Sequence, residues 1–374
     1  MKLIHILCAS IILSSLLSCM SLAAADQRFD DTVALAQQGN ADAQYQLAEK
    51  YRVGYGVRKN NAKAIEWYNK AANQGHIDAQ IMLGFIYQKG LGVETNYAKA
   101  LQFYRKAAKL GSAIADNNLA VLYEYGYGVE ANPKKAFELY LKSAESGYDL
   151  AQYNLSQLYQ TGTGVAKNQA KALEWLSKSA YQNYPPAMLS LASHYYYGQG
   201  IKLDYEKAFE WYQKAAFLGH DEAQYTVALM YTDGLGIQQD DQKAFAWYSI
   251  AAKNGHASAQ NNLAVRYKNA VGTSRDYAKA VYWFSKSAKQ GLSTAQSNLA
   301  VMYQDGVGVQ QSDRLAYEWH RKAFESYAKA AKQGDADAQY NLANMYQNGI
   351  GVDKNVRQSK HWYKQAALQG YAVP

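Results

Sequence analysis

The sequence predicts an all-α fold, an α-solenoid of about nine antiparallel helix pairs. Three observations predict it: a 36-residue pattern fills most of the 374 residues, its apolar positions fall at helical spacing, and glycine pairs interrupt the helical stretches. Apolar residues three and four positions apart lie on one face of an α-helix. In residues 220–255 these positions are Ala223, Val227, Ala228 and Tyr231, followed by Ala244, Trp247 and Ala251.

Each repeat contains a first helix, a tight loop and a second helix, in that order. Gly234 and Gly236 stand where the first helix must end and the chain must reverse, because glycine adopts left-handed backbone conformations without steric cost. Asp240 opens the second helix, since its side chain can accept a hydrogen bond from a free backbone N–H. Gly255 closes the repeat. Each repeat is therefore predicted to be a helical hairpin.

Four columns of residues keep this register along the chain. The closing residue is Gly39, Gly75, Gly111, Gly147, Asn183, Gly219, Gly255, Gly291, Gly334 and Gly370. The second loop glycine is Gly56, Gly92, Gly128, Gly164, Gly200, Gly236, Gly272, Gly308 and Gly351. The tyrosine that ends the first helix is Tyr51, Tyr87, Tyr123, Tyr159, Tyr195, Tyr231, Tyr267, Tyr303 and Tyr346, and we expect it in the core. The residue that opens the second helix is Asn60, Asn96, Asn132, Asn168, Asp204, Asp240, Asp276, Ser312 and Asn355.

Four segments follow from this register. Residues 1–25 are predicted to be a secretory signal peptide, 26–39 a capping helix, 40–370 nine repeats, and 371–374 a tail. In the leader, Ala23 and Ala25 form an A-x-A cleavage site after an apolar run. Alternatively, the residues up to Cys19 resemble a bacterial lipobox, which would make Cys19 the lipidated N-terminus. Either alternative predicts export, and no later run is apolar enough to span a bilayer.

Two repeats depart from the pattern, and the last lacks a cover. The fifth begins with Pro185-Pro186 and predicts a change of angle between neighbouring repeats. The eighth carries a seven-residue insert, which predicts a longer second helix that projects from the stack because seven residues nearly complete two helical turns. No helix follows the ninth repeat to cover its apolar end. We expect this C-terminal end to pair either with another copy of the chain or with the protein partner.

The charges and histidines favour no chemistry. The formal net charge is +8, but lysines and glutamates alternate at helical spacing on the second helices, which indicates a solvated outer face and no nucleic-acid site. His76, His220 and His256 share one repeat position and are not gathered into a metal site. The G-x-G loops follow helices, unlike dinucleotide-binding loops. We therefore predict no cofactor, no metal and no enzymatic activity.

One further pattern resembles a known family. Residues 338–352 read Ala-Gln-Tyr-Asn-Leu-Ala-x-x-Tyr-x-x-Gly-x-Gly-Val and continue through Trp362-Tyr363 and Ala366-Ala367, which resembles the Sel1-like repeat, a relative of the tetratricopeptide repeat. The resemblance implies a right-handed superhelix that acts as a scaffold or adaptor for other proteins. Exported members of this length look most like the LpnE-type factors of Legionella. That likeness implies a virulence role in host-cell contact, uptake or vesicle trafficking.

Packing like that of tetratricopeptide repeats would place certain first-helix residues on a concave face. Aromatic and arginine side chains on a rigid surface are typical of binding hot spots. The alternative is that these residues only decorate a polar groove. The expected partner is a protein, for instance a host trafficking or surface protein; the other candidate function is a periplasmic or outer-membrane adaptor for envelope proteins. The candidate residues are Tyr45, Arg52, Phe85, Tyr125, Tyr153, Tyr196, Tyr197, Tyr225, Lys268 and Tyr340.

Overall fold

The computed structural model describes residues 29–373, which form helices joined by short loops and contain no β-strand. The all-α class and the repeated helix pairs are thus confirmed. The described residues divide into two compact units, with the boundary between Tyr184 and Pro185. The predicted leader, with Cys8 and Cys19, lies outside the described residues. In the part that is described, no helix is both long and apolar enough to cross a membrane.

The helices alternate regularly between first and second members of the hairpins. The first unit contains α1 (29–37), α2 (Ala41–Val53), α3 (Asn61–Asn73), α4 (Ile77–Lys89), α5 (Tyr97–Lys109), α6 (Ala113–Tyr125), α7 (Pro133–Glu145), α8 (Asp149–Thr161) and α9 (Gln169–Tyr181). The second unit contains α10 (Pro185–Tyr197), α11 (Tyr205–Phe217), α12 (Asp221–Asp233), α13 (Asp241–Lys253), α14 (Ala257–Asn269), α15 (Tyr277–Lys289), α16 (Ser293–Asp305), α17 (Asp313–Lys332), α18 (Ala336–Asn348) and α19 (Val356–Ala367). Even-numbered helices are the first helices and odd-numbered helices from α3 onward are the second helices.

The predicted N-caps of all nine second helices are confirmed. Asp240 Oδ1, for example, accepts the backbone N–H of Lys243 at 2.9 Å, and its equivalents do the same three residues on. The backbone N–H of each cap also donates to the backbone carbonyl of the tyrosine that ends the first helix, as Asp240 does to Tyr231 at 3.0 Å. Such caps satisfy donors that the helix itself leaves free. The two helices of a hairpin are therefore locked together at the loop.

Buried glutamines join each hairpin to its neighbours. Gln224 Nε2 donates to the carbonyl of Ala216 in the preceding hairpin at 3.2 Å, and Gln224 Oε1 accepts from Asn254 at 2.9 Å. The same donation to a carbonyl eight residues earlier is made by Gln44, Gln80, Gln152, Gln260, Gln296 and Gln339. Gln44 donates to Ala36 of α1, so α1 occupies the place of a second helix before the first repeat. A buried amide left without partners would destabilise the interface, and the amide nitrogen of each of these glutamines is paired, whereas Gln80 Oε1 has no hydrogen-bond partner.

The first-helix tyrosines pack against the core as expected, but most of them lie at its edge. Only Tyr159 and Tyr231 of that column are buried, and the others are half-buried. Lysines of the following second helix lie over most of these rings, as Lys63 does over Tyr51 at 5.3 Å. The fully buried tyrosines are on the second helices, at Tyr68, Tyr104, Tyr140 and Tyr248. The cation–π contacts do not set the burial of these rings, because Lys171 and Lys243 lie over the buried Tyr159 and Tyr231 as well.

The fifth repeat begins where the two compact units divide. Asn183 takes the left-handed conformation with φ of 66°, as predicted for the missing closing glycine. Pro185 is the first residue of α10, where its missing N–H costs no hydrogen bond. Met188 occupies the position that holds the bridging glutamine in most repeats. The predicted change of angle at this point stays a prediction.

The insert in the eighth repeat makes α17 20 residues long, against 13 in its ordinary counterpart α13. Ser326 Oγ donates to Gln296 at 2.9 Å, so α17 keeps the ordinary register with α16. In an ordinary repeat the second loop glycine packs on the first residue of the preceding second helix, as Gly272 packs on Asp241 of α13. In the ninth repeat Gly351 packs instead on the backbone of His320, which is seven residues after the start of α17. The ninth hairpin is therefore seated seven residues further along its neighbour. Residues 313–319 extend beyond that hairpin's loop.

Candidate protein-binding surface

The exposed side of the first helices is the candidate surface, and we call it the first-helix face. It comprises the outward side chains of α2, α4, α6 and α8 in the first unit and of α10, α12, α14, α16 and α18 in the second. Neighbouring first helices are joined on this face. Asn154 Nδ2 donates to Asn117 Oδ1 at 3.0 Å, and Asn298 does the same to Asn261. These bonds join α6 to α8 in the first unit and α14 to α16 in the second.

The ten predicted binding residues all lie on these first helices, but they differ in exposure. Phe85, Tyr125 and Tyr197 are 40%, 60% and 63% exposed. The half-buried ones are Tyr45, Arg52, Tyr153, Tyr196, Tyr225, Lys268 and Tyr340. The three exposed aromatic side chains are thus the best placed to contact a partner.

Four of the half-buried tyrosines share one packing arrangement. Tyr225 stacks on His256 with ring centroids 4.5 Å apart, and Tyr45 stacks on His76 at 4.7 Å. The same contact, always 31 residues along the chain, joins Tyr153 to Tyr184 and Tyr340 to Tyr371 at 5.5 Å each. Burial raises the pKa of Tyr45 and Tyr225. These rings hold a hairpin against the segment that follows it, which leaves less of their surface for a partner.

Arg52 is held inside its own hairpin. Its guanidinium pairs with Glu49 at 2.6 Å, and Glu49 also accepts a hydrogen bond from the hydroxyl of Tyr68. The hydrogen bond with Glu49 raises the pKa of Arg52. The ring centroid of Tyr196 lies 4.9 Å from that of Tyr197 and 5.2 Å from that of Tyr205. The structure thus brings two of the predicted residues, Tyr196 and Tyr197, into contact. Lys268 is half-buried on α14.

The prediction missed one group of surface tyrosines. Tyr127 lies between the two loop glycines of the third repeat and is 38% exposed, and Tyr97 is the first residue of α5. Their rings stack 4.9 Å apart, and Tyr125 stacks on the other side of Tyr127 at 5.7 Å. The sequence signal is a tyrosine between the loop glycines, which occurs again at Tyr55.

The two sets of helices carry opposite charge. The first helices hold 11 acidic and 5 basic residues. The second helices, α3 to α19, hold 10 acidic and 26 basic residues. The excess of positive charge is thus on the second helices, and the first-helix face is acidic. The alternation of lysines and glutamates predicted an even mixture of charges on the second helices, but basic residues predominate there.

The histidines have structural contacts. His76 and His256 cap α4 and α14 by accepting the backbone N–H three residues on, at 3.2 Å each. His194 is buried and contacts the carbonyl of Gln199 at 2.6 Å. Across residues 29–373 no three histidine, cysteine or acidic side chains are grouped closely enough to hold a metal ion.

A groove of about 420 Å³ lies beside the overhanging turns of α17. Its wall includes Tyr317, which is 57% exposed, together with Val301 and Ile350. His320 lines it too, and burial lowers the pKa of that imidazole. In ordinary repeats the corresponding ring meets the next first helix, as Phe245 meets Tyr267 at 5.2 Å. The groove is thus a consequence of the shifted ninth hairpin.

Hairpins of constant backbone with a variable exposed row define a class, the α-helical repeat proteins related to the tetratricopeptide repeat. The chain belongs to the Sel1 repeat family, which matches residues 41–76, 77–112, 113–148, 149–184, 185–220, 221–256, 257–292, 293–326 and 336–371. Proteins of this family generally act as scaffolds for protein–protein interaction and are generally not enzymes. The eighth match ends at residue 326, whose side chain is bonded to Gln296 of α16.

Two solved structures are similar over most of the chain. One is a protective antigen present in uropathogenic Escherichia coli strains and displaying an SLR fold, with 32% identity and a TM-score of 0.68; the match covers 92% of this chain and 80% of the antigen. The other is a Sel1 repeat protein from Oxalobacter formigenes, with 29% identity, a TM-score of 0.58, and coverage of 82% and 87%. Among curated protein sequences, none matches this chain significantly.

Proposed function

We propose that the protein is an exported scaffold that binds one protein partner through the first-helix face. The observation that carries the proposal is the exposure of Phe85 and Tyr125 in the first unit and of Tyr197 in the second, on first helices of hairpins that are held by hydrogen bonds such as those of Asn154 and Gln224. Exposed aromatic side chains on a rigid frame lose little conformational entropy on binding. Because the exposed side chains vary from repeat to repeat while the buried ones do not, the face suits one particular ligand.

The partner belongs to a eukaryotic host in this proposal, and binding serves uptake or trafficking. The similar antigen of uropathogenic Escherichia coli supports contact with a host. The second candidate is an adaptor that organises proteins of the bacterial envelope. The lipobox-like residues ending at Cys19 favour that candidate, because a lipidated N-terminus would retain the chain at a membrane.

A capture experiment with matched variants tests the binding face. The full chain, purified from expressing cells, is incubated with host-cell lysate and with bacterial-envelope lysate, and bound proteins are identified by mass spectrometry. The test variant changes Phe85, Tyr125 and Tyr197 to alanine. The control variant changes the exposed second-helix residues Tyr181, Phe217 and Tyr282 to alanine. Circular dichroism first establishes that both variants fold like the parent.

We expect one host protein to be retained by the parent and the control and lost by the test variant. Loss in the control alone would move the binding site to the second helices. Capture of envelope proteins alone would favour the envelope adaptor.

The leader is tested by the mass of the mature protein. Cleavage after Ala25 predicts an N-terminus at Asp26 and no effect of Cys19→Ser. A lipidated Cys19, detected as a mass increase that Cys19→Ser abolishes, would instead support the envelope adaptor. Retention of residues 1–25 on the purified protein would contradict export by either route.

A further inference from the structure

A ladder of three tyrosine rings stands at the loop edge of the third hairpin. Tyr97, Tyr127 and Tyr125 stack in that order, with interplanar angles of 13° and 20°. Tyr127 has a ring on each side. Tyr125 ends the ladder and is 60% exposed, and the only aromatic ring of the described residues stacked on it is that of Tyr127. The negatively charged face of an aromatic ring attracts a cation.

A carboxylate without a cationic partner lies beside the end of the ladder. Glu124 precedes Tyr125 at the end of α6 and accepts a hydrogen bond from the hydroxyl of Tyr140 at 2.8 Å. Within residues 29–373, no lysine, arginine or histidine lies within ion-pair distance of Glu124. Its negative charge also raises the pKa of Tyr125. The other acidic residue of α6, Asp116, is by contrast paired with Lys142 at 2.9 Å.

The first hairpin shows a cation that the chain itself places over a loop tyrosine. Tyr55 stands between its two loop glycines as Tyr127 does in the third hairpin, and Lys50 Nζ lies 5.2 Å from the centre of its ring. The residue that corresponds to Lys50 in the third hairpin is Leu122, which is fully buried. Tyr127 is stacked with Tyr97 and Tyr125 instead of lying under a lysine, so Tyr125 is the ring that ends the stack.

We propose that the exposed ring of Tyr125 and the carboxylate of Glu124 together bind an arginine side chain of the partner protein. The planar guanidinium can stack on the ring, continue the ladder and donate hydrogen bonds to the carboxylate, which an ammonium group does less well. The charge of the first helices in the same unit is complementary, because α2, α4, α6 and α8 carry 6 acidic and 3 basic residues. This inference rests on the proposed binding function and names the chemistry of one contact.

The test uses a fluorescent peptide of alternating glycine and arginine, with the full chain as binder. Its matched control replaces arginine by citrulline, which has nearly the same shape and no charge. The variants Glu124→Gln and Tyr125→Ala probe the site, and Tyr55→Ala, whose ring is already covered by Lys50, is the protein control. Thermal unfolding followed by circular dichroism checks that each variant is folded.

We expect the arginine peptide to bind and the citrulline peptide to bind more weakly. Glu124→Gln and Tyr125→Ala should each weaken binding by about threefold to thirtyfold, the range for loss of one cation–π or charge-assisted contact. Tyr55→Ala should leave binding unchanged. Equal binding of both peptides, indifference to both site variants, or no binding at about 1 mM peptide would overturn the inference.

Two outcomes separate this inference from the proposed function. If the captured host protein is still retained by Glu124→Gln and by Tyr125→Ala, the scaffold function stands and the arginine site is wrong. If a chitin oligosaccharide displaces the peptide and binds in a manner that depends on Tyr125 but not on Glu124, the ladder is a sugar-stacking site and the arginine assignment fails.

Discussion

At the scale of single residues, Ala270 occupies a conformation that the chain otherwise gives to glycine. It follows α14 with φ of 60°, whereas the same place after other first helices holds Gly54, Gly90, Gly126, Gly162, Gly198, Gly234, Gly306 and Gly349. A side chain with a Cβ is strained in the left-handed region by about 1 kcal/mol or more. Ala270 is therefore a local source of instability in the seventh repeat.

Ala270→Gly should stabilise the protein by about 1 kcal/mol, because relief of this strain exceeds the added freedom of the unfolded chain. The midpoint of urea unfolding, followed by circular dichroism, measures the change. Gly162→Ala is the matched control, since a Cβ there would meet Lys167 Cβ at an ordinary 3.4 Å while φ is 83°. It should destabilise by about the same amount. An unchanged midpoint for Ala270→Gly would show that the seventh repeat relaxes around alanine.

At the scale of elements, α17 decides how the ninth hairpin is placed. Within the eighth hairpin, Ser326 of α17 is bonded to Gln296 of α16. The loop of the ninth hairpin packs on α17 at His320. The extra seven residues therefore shift the contact with the ninth hairpin along α17 relative to the contact with α16. They leave Tyr317 without the aromatic partner that Phe324 finds in Tyr346 at 5.2 Å.

Deletion of residues 319–325 should convert α17 into an ordinary second helix of about 13 residues. The shortened helix reads Asp313 to Glu318 followed by Ser326 to Lys332, which puts Ala316, Tyr317 and Tyr327 at the positions of Ala244, Phe245 and Tyr248 in α13. We expect the variant that lacks residues 319–325 to fold, to bury Tyr317, and to unfold at the same temperature as the parent or a higher one. Quenching of tyrosine fluorescence and thermal unfolding measure these effects.

Deletion of only residues 319–323 is the control for this experiment. Five residues turn a helix by about 140° beyond a full turn, so the apolar face after the deletion no longer meets α18. This variant should lose helical signal equivalent to the ninth hairpin. Similar behaviour of the two deletions would mean that the helical phase of α17 does not place the ninth hairpin.

At the scale of the whole molecule, tyrosine hydroxyls recur at the buried ends of the hairpins. Burial raises the pKa of Tyr212 to about 12, and it also raises the pKa of Tyr68, Tyr104 and Tyr140. An unfolded tyrosine loses its proton near pH 10.0. Between the two values the folded state binds more protons than the unfolded state, so stability falls as pH rises. The contribution is complete below pH 10 and is lost as pH rises through the folded pKa.

Alkaline pH should therefore unfold the protein cooperatively over neighbouring repeats. For each tyrosine that titrates only on unfolding, stability should fall by about 1.4 kcal/mol per pH unit above pH 10. Urea unfolding at several pH values, combined with tyrosinate absorbance, measures the slope. Tyr212→Phe should make the fall of stability with pH shallower, whereas Tyr55→Phe, at an exposed tyrosine, should leave it unchanged. A slope unaffected by Tyr212→Phe would assign alkaline unfolding to other groups.

The sequence by itself determined the hairpin, its caps and the repeat number, because these depend on interactions between residues a few positions apart. Asp240 caps α13, and Gly236 takes a left-handed conformation with φ of 71°, just as their spacing predicts. The 31-residue pairs, such as Tyr225 with His256, were also readable from the sequence once the register was known. Which ring was covered and which was exposed depended on the tertiary structure, since burial depends on neighbours from other hairpins.

Tertiary structure therefore decided the candidate site. The pattern grouped Tyr45 and Tyr125 together as first-helix tyrosines, yet His76 of the next hairpin stacks on Tyr45, whereas Tyr125 is 60% exposed. Tyr97 and Tyr127 come from different repeats and stack only because the third loop packs on the start of α5. Repetition fixes each hairpin locally, whereas the side chains left free for a partner are those that neighbouring hairpins do not use.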